Sequence, residues 1–163
     1  MRQGDRDELL QPTLQDYVAP TEAPWRLDSQ FFVGFFGGPL ALGGIAYVNS
    51  QRLGMPRSRR RAVVWTVAGA LLAEVVALVL LDVTGALAGL EDEGTQPLRL
   101  INQAAGVLAY PFVRRAQRSA DRVYRLSHED EDYASLLGPG ILAAVVGGLI
   151  GLGVVLAVVG ALT

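Results

Sequence analysis

The sequence predicts an all-α integral membrane protein: a small bundle of about four transmembrane helices, the first kinked at Gly38-Pro39 and the third weak or partly interfacial. Three observations predict it. Apolar residues make up 51% of the 163 residues and charged residues only 18%, against about 25% charged in soluble domains. The apolar residues gather in blocks at about 31–48, 62–84, 98–113 and 136–162. The loops between blocks differ sharply in arginine content, the pattern that sets orientation in a bilayer. The blocks form a single membrane domain, 31–163, behind a polar tail, 1–30.

The tail carries three Arg, six acids and Pro12, Pro20 and Pro24. No apolar run follows a basic start, so no cleaved signal peptide is expected. Trp25 stands just ahead of the first block, where an indole would anchor at the membrane interface.

Block one, Phe31–Val48, is uncharged and near the minimum length for a span. Gly38-Pro39 should kink it or break it. If it breaks, the block becomes a re-entrant hairpin and the tail stays inside. Block two, Ala62–Gly89, is long enough to span with tilt and is interrupted by Glu74 and Asp82. Block three, Leu98–Val113, holds Arg99, Asn102, Gln103 and Pro111. The segment after it carries Arg114, Arg118, Arg122 and Arg125 on one helical stripe and could continue it as an interfacial helix. Block four, Leu136–Leu162, is almost wholly Leu, Val, Ile, Ala and Gly, the clearest span of the four.

Orientation follows from the arginines. Residues 49–61 carry five Arg, including Arg57, Arg59, Arg60 and Arg61; residues 114–135 carry five more; the loop around Glu91 to Glu93 carries none. The positive-inside rule places both basic segments in the cytoplasm. Four spans would then put both termini outside. All 14 basic residues are Arg, which reads as GC-rich coding and a bacterial inner membrane. Arg57, Arg59, Arg60 and Arg61 serve as a topology determinant or touch anionic headgroups.

Candidate chemistry centres on Glu74. It lies about 18 Å into the second helix, near mid-membrane, where a charge costs about 2.5–3.5 kcal/mol. It must be protonated, paired or turned to a polar cavity. One reading is a proton or cation site; the other is a neutral Glu bonded across helices to Asn102 or Gln103. Asp82 either pairs with Arg99 or stays solvated at the outer interface. Together Glu74, Asp82, Arg99, Asn102 and Gln103 would make one polar patch between blocks two and three. Small residues at helical spacing, Gly34 and Gly38, and Ala143, Gly147 and Gly151, predict close helix packing, within the chain or with a partner.

Other chemistry is thin. No Cys is present and His128 is the single His, in an acidic loop. Neither a metal site nor any cofactor is expected, and no P-loop, nucleophile elbow or dinucleotide fingerprint occurs. A net charge of −2 gives no reason to expect nucleic acid.

Phe36, Gly37, Gly38, Pro39, Leu40 and Ala41, followed by Asn49, Leu53 and Gly54 before a basic stretch, resemble a family of small bacterial multi-pass membrane proteins to which no activity is assigned. The resemblance implies a membrane location. The expected function is that of a non-enzymatic accessory or scaffold subunit, working by helix packing as a homo-oligomer or within a larger membrane complex. The alternative is a transporter or channel subunit that uses Glu74.

Overall fold

The computed structural model describes residues 22–85, 96–127 and 133–162. These form four helices: α1 (Gln30–Arg52), α2 (Arg57–Val83), α3 (Gln96–Ser127) and α4 (Leu137–Leu162). Three helices are long and apolar enough to cross a membrane by length and composition: Gln30–Arg52, Arg57–Val83 and Leu137–Val158. Among the described residues there is no strand, only an isolated parallel bridge between Trp25 and Ala134. The loop around Glu91 and the acidic run after His128 lie outside the described residues.

α1 does not run straight. Gly38 has φ 72 and ψ −168, outside helical space, a backbone region essentially open only to glycine. Pro39 follows, which disfavours helix in the residue before it and presets the first turn of what comes after. The chain reverses here. Gln30 and Asn49 donate to the same oxygen, Gln117 Oε1, at 3.1 and 3.5 Å, whereas a continuous helix would separate them by about 28 Å. Val33 packs with Ala41 and Ile45 from the returning arm. The expected kink is thus a hairpin. Its arms are about 12 and 21 Å long, each shorter than the ~30 Å hydrocarbon core of a bilayer.

The second arm ends at Gly54, whose φ is +64. The Met55 amide donates to Ser50 O and the Gly54 amide to Gln51 O, both at 3.0 Å, the double bond of a glycine-terminated helix. Pro56 then caps α2 in extended conformation. The turn is tight, so α2 starts at the level where α1 stops.

α2 and α3 run antiparallel, and the hairpin packs chiefly on α3 and α4. α3 continues well past the apolar block ending at Val113. Beyond that point Arg114, Arg115, Arg118 and Arg122 are exposed, while Gln117, Asp121 and Tyr124 are buried. The buried stripe packs on Leu27, Leu53 and Met55, and this tertiary contact carries the helix on to Ser127. Pro111 faces outward and leaves the helix unbroken.

Residues 22–29 are not a free tail. Trp25 is only 4% exposed, so it is a core residue and not the expected interface anchor. The segment lies at the end of the bundle that also holds Leu53, Met55, Tyr124 and Tyr133. Residues 22–29 therefore lie at the same end as both basic segments, as the re-entrant alternative for the first block expects. The physical reason is the reversal at Gly38.

Candidate functional site

The buried carboxyl of Glu74 defines the first site. Glu74 is 6% exposed, and its Oε1 is buried and accepts no hydrogen bond from the described residues. It lies in a cleft of about 510 Å³ between α2 and α3. The floor is small: Gly69, Ala73 and Ala77 from α2, Ala104 and Ala105 from α3. Gly69 has open space where a Cβ would stand. Trp65 and Phe112 close the end nearer the arginines. A carboxyl with an unsatisfied oxygen, set in an apolar trough, is costly unless something brings it a donor.

The expected single polar patch splits into two faces of α3. Asn102 does not reach Glu74. Its amide is wedged between Gly38, at the hairpin tip, and Gly151 of α4, where an added Cβ would meet Asn102 Oδ1 at 2.9 Å. Arg99 lines the same α4 side, with Phe36 and Leu149. No ion pair joins Asp82 to Arg99 among the described residues; Asp82 is half-buried and Arg99 exposed. Gln103 is half-buried and is not among the residues lining the Glu74 cleft. The cause is angular: Asn102 stands about 100° around α3 from Ile101, which lines the cleft, and the hairpin occupies the side Asn102 takes.

The small residues do pack. A Cβ on Gly147 would meet the backbone of Ala41 at 2.7 Å, one on Gly34 would meet Gly106 O at 3.2 Å, and Ala143 packs on the Trp25–Ile45 cluster. These contacts are all within the chain and seat the hairpin between α3 and α4. Gly106 belongs to the same set and was not singled out by the sequence reading.

A second polar assembly, also missed, sits at the arginine-rich end. Gln30, Asn49, Ser50 and Gln117 are each at most 1% exposed. Gln117 Nε2 donates to Ala46 O at 2.5 Å and to Ser50 Oγ at 2.9 Å, and Ser50 donates to Ala46 O at 2.7 Å. Asn49 pairs with the backbone of Trp25 in both directions: the Trp25 amide donates to Oδ1 at 2.7 Å, and Nδ2 donates to Trp25 O at 3.1 Å. Arg52 clamps the outside. Its guanidinium covers the Trp25 ring at 4.1 Å, bridges Glu22 at 2.7 Å and donates to Ala23 O at 3.0 Å. The signal available in the sequence was Asn49, Ser50 and Gln51 at the end of an apolar run; their partners, Trp25 and Gln117, are remote in the chain.

Of the basic cluster, Arg59 donates to Ser119 Oγ at 2.8 Å, linking α2 to α3. Arg57 and Arg61 are exposed and Arg60 half-buried. Comparison with protein-family models, curated proteins and solved structures gives no match.

Proposed function

We propose that the chain is a non-enzymatic, multi-pass protein of a bacterial inner membrane that acts as an accessory or scaffold subunit. In this reading α2, α3 and α4 cross the bilayer, and the α1 hairpin enters and returns on the cytoplasmic side. The arginines of residues 52–61 and 114–125 support that side. The observation that carries the function is the α2–α3 cleft. Its floor of Gly69, Ala73 and Ala77 suits close approach of another helix, and Glu74 Oε1 lacks a donor among the described residues. The occupant we assign is a transmembrane helix of a different protein that carries a hydrogen-bond donor. The apolar stretch of α4 has no polar side chain to offer.

The test uses a photo-crosslinker at Ala73→Cys in native membranes, clean because the chain has no Cys. One adduct with a second membrane polypeptide, lost in Gly69→Leu, is expected. No polypeptide adduct, a dimer of this chain, or an adduct unaffected by Gly69→Leu overturns the assignment. The same unpartnered carboxyl favours a second reading, a proton or cation site in a transporter or channel subunit. It differs in requiring Glu74 to titrate.

A further inference from the structure

A different cavity, of about 420 Å³, opens where the tip of the hairpin meets the middle of α4. One wall is polar and belongs to α3: Arg99 and Asn102. At that spacing on a helix two side chains are neighbours, with Cβ atoms about 5–6 Å apart. Neither has an ion pair or a hydrogen bond among the described residues. Asn102 is only 6% exposed, and a buried amide without a partner is costly. Arg99 lies about 21 Å along α3 from Val113, within the ~30 Å hydrocarbon if the helix crosses a bilayer, where a bare charge is costly too. The opposite wall is apolar, with Phe36 from the hairpin and Val145 and Leu149 from α4. These three are 55%, 55% and 67% exposed, so the trough opens sideways. Gly148 lines it as well, and a Cβ there would meet nothing closer than Phe36 O at 3.7 Å.

We infer that this trough binds a fatty-acid anion, with the carboxylate at Arg99 and Asn102 and the acyl chain along Phe36, Val145 and Leu149. Arg99 sets the sign: one cation calls for one negative charge. Its planar guanidinium offers a carboxylate two parallel N–H bonds, and the Asn102 amide donates a third. The occupant removes two costs at once, because the guanidinium gains a counter-charge and the buried amide gains an acceptor. The remaining walls are apolar, which suits a hydrocarbon tail. The volume lies toward the small end of ligand pockets, so it suits one acyl chain and not the two of a phospholipid. The inference rests on the membrane reading above, which fails separately if the protein fractionates as soluble.

The test is native mass spectrometry of the full chain released, at mildly alkaline pH, from detergent micelles doped with palmitate, hexadecanol or phosphatidylglycerol. Hexadecanol offers the same chain without the charge. Wild type should retain one palmitate in preference to either of the others. Arg99→Gln should weaken palmitate retention about tenfold, the scale of a lost charge-assisted bond, and leave hexadecanol unchanged. Arg57→Gln, at an exposed arginine that does not line the cavity, should change neither. Gly148→Leu fills the trough without altering the polar wall and should also weaken palmitate retention, which keeps the test decisive should Arg99→Gln misfold. Equal retention of palmitate and hexadecanol by wild type, palmitate retention indifferent to Arg99→Gln and Gly148→Leu, or displacement of palmitate by phosphatidylglycerol overturns the inference.

Discussion

Gln30 and Asn49 lie on opposite arms of α1, yet both donate to Gln117 Oε1, at 3.1 and 3.5 Å. That shared acceptor makes the first apolar block a hairpin. It also brings three amides and a hydroxyl together in a buried layer where each finds partners. Buried amides that are fully bonded are tolerated; one left unpaired is costly.

The network should therefore matter more than its surface area suggests. Gln117→Leu removes two donated bonds and two accepted ones, leaving Gln30 and Asn49 short of an acceptor. A loss of about 1–3 kcal/mol per stranded buried group is expected. Thermal unfolding in detergent, read by near-ultraviolet circular dichroism, checks it. A Gln117→Leu midpoint within a degree of wild type would remove the structural role assigned to this layer.

The hairpin predicts a topology with an unusual pair of neighbours. Cysteines at Glu22→Cys and Ser58→Cys should both resist an impermeant maleimide in intact cells, and Thr84→Cys should react. Labelling at Glu22→Cys with protection at Ser58→Cys would mean that the tail and the basic loop lie on opposite sides, and the first block spans.

Glycine packing gives a steric prediction. Gly147→Leu drives a side chain into the Ala41 backbone, and overpacking of this kind costs typically about 1–3 kcal/mol. Leu149 is 67% exposed, so Leu149→Ala should be close to neutral. Detergent stability of the two variants, measured side by side, decides; equal small effects would show that the α1–α4 crossing is not close.

Glu74 separates the two functional readings. A neutral carboxyl donates and accepts a hydrogen bond, and Gln matches that capacity at nearly the same size. In the scaffold reading Glu74→Gln keeps abundance and function. Glu74→Leu keeps the fold but loses the partner, because the bond goes to a helix outside this chain. Complementation of a deletion strain, with protein levels followed by blot, tests both. A Gln variant that is normally abundant yet inactive would reject the scaffold reading and promote the proton or cation site.

Tyr133 predicts a pH response at the arginine-rich end. Its hydroxyl donates to Asp121 at 2.8 Å, and burial together with that bond pushes its pKa up to about 12. The folded state thus favours the neutral phenol. The stabilisation is whole below about pH 10, the ordinary tyrosine value, and is lost as pH rises toward 12. The ring is half-buried, which tempers the size. Absorbance at 295 nm should show a late-titrating component that Tyr133→Phe diminishes; an unchanged titration curve in Tyr133→Phe above pH 10 would contradict the bond to Asp121.

What the sequence determined by itself was what composition and local backbone chemistry decide. The apolar blocks gave all four helices, because their lengths and lack of charge leave few other structures. Gly38-Pro39 marked the break, since glycine and proline together weaken the helix in the middle of an apolar block. The small residues at Gly147 and Gly151 were legible for the same local reason. The tertiary structure alone decided how far α1 turns, because a kink and a reversal share one local signal and differ only in what the arms meet. It alone moved Asn102 away from Glu74, a matter of which side of α3 the hairpin fills. It alone assembled Gln30, Asn49, Ser50 and Gln117, whose partners lie up to 87 positions apart. Hydrogen bonds across such distances leave no period in a sequence, so only the packed helices reveal them.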